Sequence, residues 1–119
     1  MTTKNTGITR IIKAVGYSFD GLRSAFSSEA AFRQELLLFA ISMPIALMIA
    51  ATPTDKALMV GSVFLILIVE IINTAVETTI ERISAERHDL SKKAKDLGSA
   101  AVFLSLINAL MVWAIIIAG

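Results

Sequence analysis

The stretch Glu70-Ile-Ile-Asn73-Thr-Ala-Val-Glu77 sets two carboxylates and an amide at the end of a long apolar run. A charged or amide side chain inside a membrane segment is costly, so it marks a functional site by default. On a helix, steps of three and four residues place Glu70, Asn73 and Glu77 on one face, which Thr74 and Glu81 extend. At 1.5 Å rise per residue, Glu70 and Glu77 lie about 10 Å apart along the axis. Two more polar groups border apolar runs: Glu29, Arg33 and Glu35 before one, and Lys95-Asp96-Leu-Gly98-Ser99 before another. Together they suit a metal–phosphate site. Hard cations such as Mg²⁺ take carboxylate and phosphate oxygens. Lysine and arginine neutralise a transferring group, and a further carboxylate can accept a proton from an attacking hydroxyl.

The elements that must position these groups are legible in the hydropathy. Of 119 residues, 55% are hydrophobic and only 18% charged, with a mean hydropathy of +0.74. Soluble domains run about 45–50% apolar and about 25% charged. The fold expected is an all-α membrane protein of a single domain, with an amphipathic surface helix followed by three transmembrane helices. The surface helix covers about residues 7–28, where Ile8, Ile11, Ile12, Val15, Phe19, Leu22 and Phe26 recur at helical steps between Arg10, Lys13, Asp20 and Arg23. Gly16 and Gly21 are candidate breaks in it, and Ser27-Ser28 with Glu29 has the form of a helix restart. The spans fall at about 32–52, 57–82 and 95–118. Pro44 is a candidate kink in the first, and Trp113 suits an interfacial position in the third. Residues 81–96 form a charged connection. So small a bundle cannot enclose several buried charges alone, so an oligomer is expected.

Basic residues set the expected topology. Lys4, Arg10, Lys13, Arg23 and Arg33 precede the first span, Lys56 alone lies in the next turn, and Arg82, Arg87, Lys92, Lys93 and Lys95 follow the second span. The positive-inside rule then puts the N-terminus and the second connection in the cytoplasm, with the polar stripe near that interface. The first ~30 residues lack the continuous apolar stretch of a cleaved signal peptide, and none is expected.

Several chemistries are excluded or weakened. No cysteine is present, which removes disulfides, zinc ribbons and thiol nucleophiles. A net charge of +1 without a basic, aromatic-interleaved cluster gives no sign of nucleic-acid binding. Gly16-Tyr-Ser-Phe-Asp-Gly21 has the glycine spacing of a P-loop, but Leu22-Arg23-Ser24 follows and the flank is helical. No His-Arg-Asp catalytic-loop signature occurs. Bland readings also stand beside the chemical ones. Glu70 could be neutralised or paired with Lys95, Asn73 could be a packing amide, and Gly98 and Ser99 could permit close helix contact. Lys95 could snorkel to the interface, Arg10 could touch lipid headgroups, and the single His88 could be solvated. A transporter subunit using Glu70 as a carrier acid is a rival from another class. Against it, the polar groups crowd one interface, and only Ser105 and Asn108 continue a path along the third span.

Four blocks then carry a family resemblance: Thr9-Arg10-Ile-Ile-Lys-Ala with Gly16-Tyr17; Glu29-Ala-Ala-Phe-Arg-Gln-Glu35; Val69-Glu70-Ile-Ile-Asn73-Thr-Ala-Val-Glu77; and Ala94-Lys95-Asp96-Leu-Gly98-Ser99-Ala-Ala. In order and spacing the chain resembles the bacterial integral-membrane diacylglycerol kinases over nearly its whole length. The resemblance implies a homotrimer with composite active sites in the bacterial inner membrane. It implies transfer of the ATP γ-phosphate to diacylglycerol, giving phosphatidate at the cytoplasmic interface, with Mg²⁺ as cofactor. It also implies roles: Glu70 as catalytic base, Glu29 and Glu77 as metal ligands, and Asn73 as their support. Lys95 would bind phosphates, with Asp96 and Ser99 completing the site. Arg10 and Tyr17 would help close the nucleotide and lipid pockets, and Glu86 and His88 match positions near the adenine. Arg87 stands where an aromatic is expected beside the histidine, and Phe19 and Phe26 stand where the surface helix is expected to carry tryptophans. A polyprenol kinase of the same family is the nearest alternative, because both acceptors are apolar alcohols.

Overall fold

A computed structural model of the chain describes residues 6–83 and 89–119. These residues form four helices: α1 (Gly7–Ser28), α2 (Ala30–Ile49), α3 (Pro53–Ile83) and α4 (Asp89–Ala118). The last three are long and apolar enough to cross a membrane. Large apolar side chains such as Leu37, Ile41, Met48, Phe103, Leu104 and Leu110 point outward from them. An exposed apolar surface of this kind fits lipid or further protein, not water.

α3 is the central helix and packs against both α2 and α4. At one end of the bundle Ala46 and Ala50 of α2 meet Met59 of α3, flanked by Trp113 and Ile116 of α4. The Trp113 indole N–H donates to the Met59 carbonyl at 3.1 Å. The expected interfacial tryptophan is therefore also a tie between α3 and α4. In the middle, Val63 and Ile66 pack on Ala109, with Phe39 and Leu106 alongside. Toward the other end Ala25 of α1 and Phe32 of α2 close on Leu67, backed by Leu36 and Ile71. Apart from Ala25, α1 is exposed, including Ile8, Ile11, Ile12, Val15 and Phe19.

Element boundaries follow local chemistry. Gly16 and Gly21 do not interrupt α1, which is continuous to Ser28. The break falls at Glu29, an extended residue (φ −114°, ψ 107°) that ends α1 and begins α2. Ser28 does not cap α2. Its hydroxyl turns back to the Ser24 carbonyl at 2.8 Å, one turn earlier in α1. Pro44 lies inside α2, which continues past it to Ile49. α3 opens on Pro53, whose missing N–H costs nothing at a first helical position. Thr52 caps it by accepting the Asp55 N–H at 3.1 Å. The charged connection is shorter than expected, because Asp89–Asp96 is already helical as the first turns of α4. There Lys92 and Asp96 pair at 2.7 Å across one turn.

Candidate active site

Because α2 enters, α3 leaves and α4 enters at the same end of the bundle, their polar ends meet. Glu29, Ala31 and Glu35 from the start of α2, Glu70, Asn73 and Glu77 from the second half of α3, and Ser99 and Val102 from α4 line one cavity of about 290 Å³. Glu70 and Asn73 are buried, at 5% and 8% exposure, while Glu29, Glu35 and Glu77 are half-buried. Glu70 feels the charges of Glu77, Glu29 and Glu35. None of these four carboxylates forms an ion pair among the described residues. The Thr74 hydroxyl stands 3.5 Å from Glu70 Oε2, at the outer limit of a hydrogen bond. Four carboxylates crowded in a half-closed cavity repel one another and call for a cation or a proton donor.

A second device fixes Glu29. The Arg33 guanidinium, one turn into α2, reaches back over the break. It donates to the last carbonyls of α1, to Phe26 O at 2.7 Å and Ser27 O at 3.3 Å. The C-terminal carbonyls of a helix lack intrahelical donors and carry its negative pole, so a cation is favoured there. The Glu29 N–H still bonds to Ala25 O at 2.9 Å, and its own carbonyl accepts from the Arg33 N–H at 3.2 Å. The joint is thus pinned on both sides of the residue that turns its carboxylate to the cavity.

Of the residues proposed from sequence, Glu29, Glu70, Asn73, Glu77 and Ser99 are brought together. Lys95 is exposed. It sits one turn before Ser99 on the same side of α4, about 6 Å along the axis. Asp96, paired with Lys92, borders a separate hollow with Asp89, Lys93 and Leu97. Arg10 and Tyr17 are exposed on α1, Tyr17 at 70%, away from the cavity within one chain. Glu86 and His88 lie outside the described residues. Glu35 had no assigned role from sequence, although Phe32, Leu36 and Phe39 mark its side of α2 as core-facing. Its Oε1 is buried without a hydrogen-bond partner among the described residues.

The donor set bears on a metal. Among the described residues no three acidic or histidine side chains converge into a self-sufficient metal site. Mg²⁺ ordinarily uses only one or two protein carboxylates and completes its shell with phosphate and water. The unpaired glutamates of the cavity fit an ion that arrives with a phosphate.

The fold and cavity define a class: a small polytopic α-helical membrane protein with an acidic site at one end of its spans. Comparison with known proteins gives the family. Residues 16–117 match the family model described as prokaryotic diacylglycerol kinase. The chain is 46% identical over 117 residues to a diacylglycerol kinase of Escherichia coli strain K12, covering 98% of this chain and 96% of that one. It is 47% identical over 114 residues to one from Pseudomonas aeruginosa, covering 96% and 93%. A Helicobacter pylori diacylglycerol kinase is 37% identical over 110 residues, covering 92% and 86%. The chain belongs to the prokaryotic diacylglycerol kinase family.

Proposed function

We propose that this chain is an ATP-dependent lipid kinase that phosphorylates diacylglycerol to phosphatidate at the cytoplasmic face of the bacterial inner membrane. The observation that carries the reading is the acidic cavity at one bundle end in a chain of this family. Glu70 is the general base. As the lipid hydroxyl oxygen attacks the γ-phosphorus, its proton passes to the Glu70 carboxylate and the bond to ADP breaks. Glu29 and Glu77 hold the Mg²⁺ of Mg-ATP, supported by Asn73. Bound there, the ion would neutralise phosphate charge and help orient the transferring group. Lys95 binds the phosphates, and Asp96 and Ser99 complete the site.

Arg10 and Tyr17 of α1 help close the nucleotide and lipid pockets in a homotrimer, where one protomer's α1 meets its neighbour's bundle, and Glu86 and His88 lie near the adenine. α1 lies on the membrane surface with its apolar side chains in the lipid. The groove between α1 and α3, lined by Ser18, Gly21, Leu22, Ala25, Ile71 and Thr74, leads an acyl glycerol sideways to the turn that carries Glu70. The test is transfer of labelled phosphate from Mg-ATP in mixed micelles, with dioleoylglycerol and undecaprenol offered separately. Preferential labelling of dioleoylglycerol supports the reading. Preferential labelling of undecaprenol makes the chain a polyprenol kinase of the same family, and ATP-independent proton flux without transfer would make it a transporter subunit.

A further inference from the structure

We infer that Gly98 is a positioning residue whose missing side chain forms the slot that holds Asn73 in the active cavity. The inference rests on the proposed role of Asn73. A methyl carbon built on Gly98 would run into the Asn73 Oδ1 and stand 3.1 Å from its Cγ. Within α4, Gly98 is the one glycine before the terminal Gly119, and it falls where α3 presents its buried amide. Asn73 is 8% exposed, and its Oδ1 has no hydrogen-bond partner among the described residues. The α4 backbone at Gly98 therefore meets that oxygen through nothing stronger than a Cα–H contact. Among the described residues no hydrogen bond holds that oxygen, so its position is set by shape. Asn73, held against α4, lines the cavity beside Glu70 and Glu77. Ser99, the next residue, lines that cavity too, so α4 closes the site at the point where it approaches α3.

The sign of the Gly98→Ala effect separates this slot from general helix packing. Glycine inside a helix is ordinarily replaced by alanine with a gain in stability, because backbone freedom is lost from the unfolded chain. Here the added methyl must displace Asn73. The experiment is a double-mutant cycle of G98A and N73A in the full trimer in micelles, read by thermal melting and by steady-state kinetics with Mg-ATP and dioleoylglycerol. G98A is expected to melt lower than the parent, whereas N73A/G98A melts as high as N73A or higher. At a temperature where G98A remains folded, its kcat falls about tenfold or more, as misplaced groups do, and the KM for dioleoylglycerol is unchanged.

Equal melting shifts in both backgrounds, or a G98A enzyme with parental kcat, overturns the inference. Should N73A itself keep full activity, the proposed role of Asn73 fails. The melting cycle still decides whether Gly98 makes the slot.

Discussion

Replacing Arg33 by glutamine removes the cation that ties the end of α1 to the start of α2. The guanidinium donates to Phe26 O at 2.7 Å and, less closely, to Ser27 O at 3.3 Å. A hydrogen bond from a charged donor contributes about 1.5–3 kcal/mol, and a cation at a helix C-terminus about 0.3–1 kcal/mol. Arg33 is exposed, and solvent screens exposed charges, so the low end applies: about 1.5 kcal/mol in all. That corresponds to an approximately tenfold larger population of opened joint. Amide hydrogen exchange followed by mass spectrometry on the protein in micelles should show residues 24–30 exchanging about tenfold faster in R33Q, with R33K intermediate. Exchange in the middle of α3 should be unchanged. Because Glu29 sits in the joint, the Mg²⁺ concentration for half-maximal turnover should rise in R33Q alongside the exchange rate. Parental exchange across the joint would refute the clamp. Faster exchange with unchanged Mg²⁺ dependence would show that the clamp does not serve Glu29.

Two other outcomes follow from the geometry. Glu77→Gln should weaken Mg²⁺-dependent nucleotide binding by about tenfold or more while leaving the protein folded. Isothermal titration with and without Mg²⁺ measures this, and equal affinity would remove Glu77 from the metal site. Trp113→Phe deletes the donor to the Met59 carbonyl at the opposite end of the bundle. It should cost about 0.5–1.5 kcal/mol of stability in a denaturation titration with turnover unchanged.

Hydropathy and spacing made the three spans readable, because each contains a long uncharged stretch, and helical steps of three and four put Glu70, Asn73 and Glu77 on one face. The helix that carries the third span begins at Asp89, before the expected span start at about 95, and its first turns are charged. Asp89 in the first turn and the Lys92–Asp96 pair one turn apart are in fact support for a helix end. The joint at Glu29 was one residue from its expected cap, since Ser28 bonds back into α1, a choice that no spacing rule decides. Glu35 was readable in principle from the Phe32, Leu36 and Phe39 side of α2, but an acid in the second turn of a span's helix also suits an ordinary interfacial position. The contact of Gly98 with Asn73 and the reach of Arg33 to Phe26 depend on how helices approach one another, which one-dimensional periodicity does not contain.

Glu70 is the most buried of the cavity's carboxylates, and it is the group proposed to take the proton of the lipid hydroxyl. The most direct measurement is labelled phosphate transfer from Mg-ATP to dioleoylglycerol by Glu70→Gln, on protein shown to be folded and to bind nucleotide as the parent does. Almost complete loss of transfer with retained binding is the result expected. Near-parental transfer would contradict the assignment of Glu70 as the base.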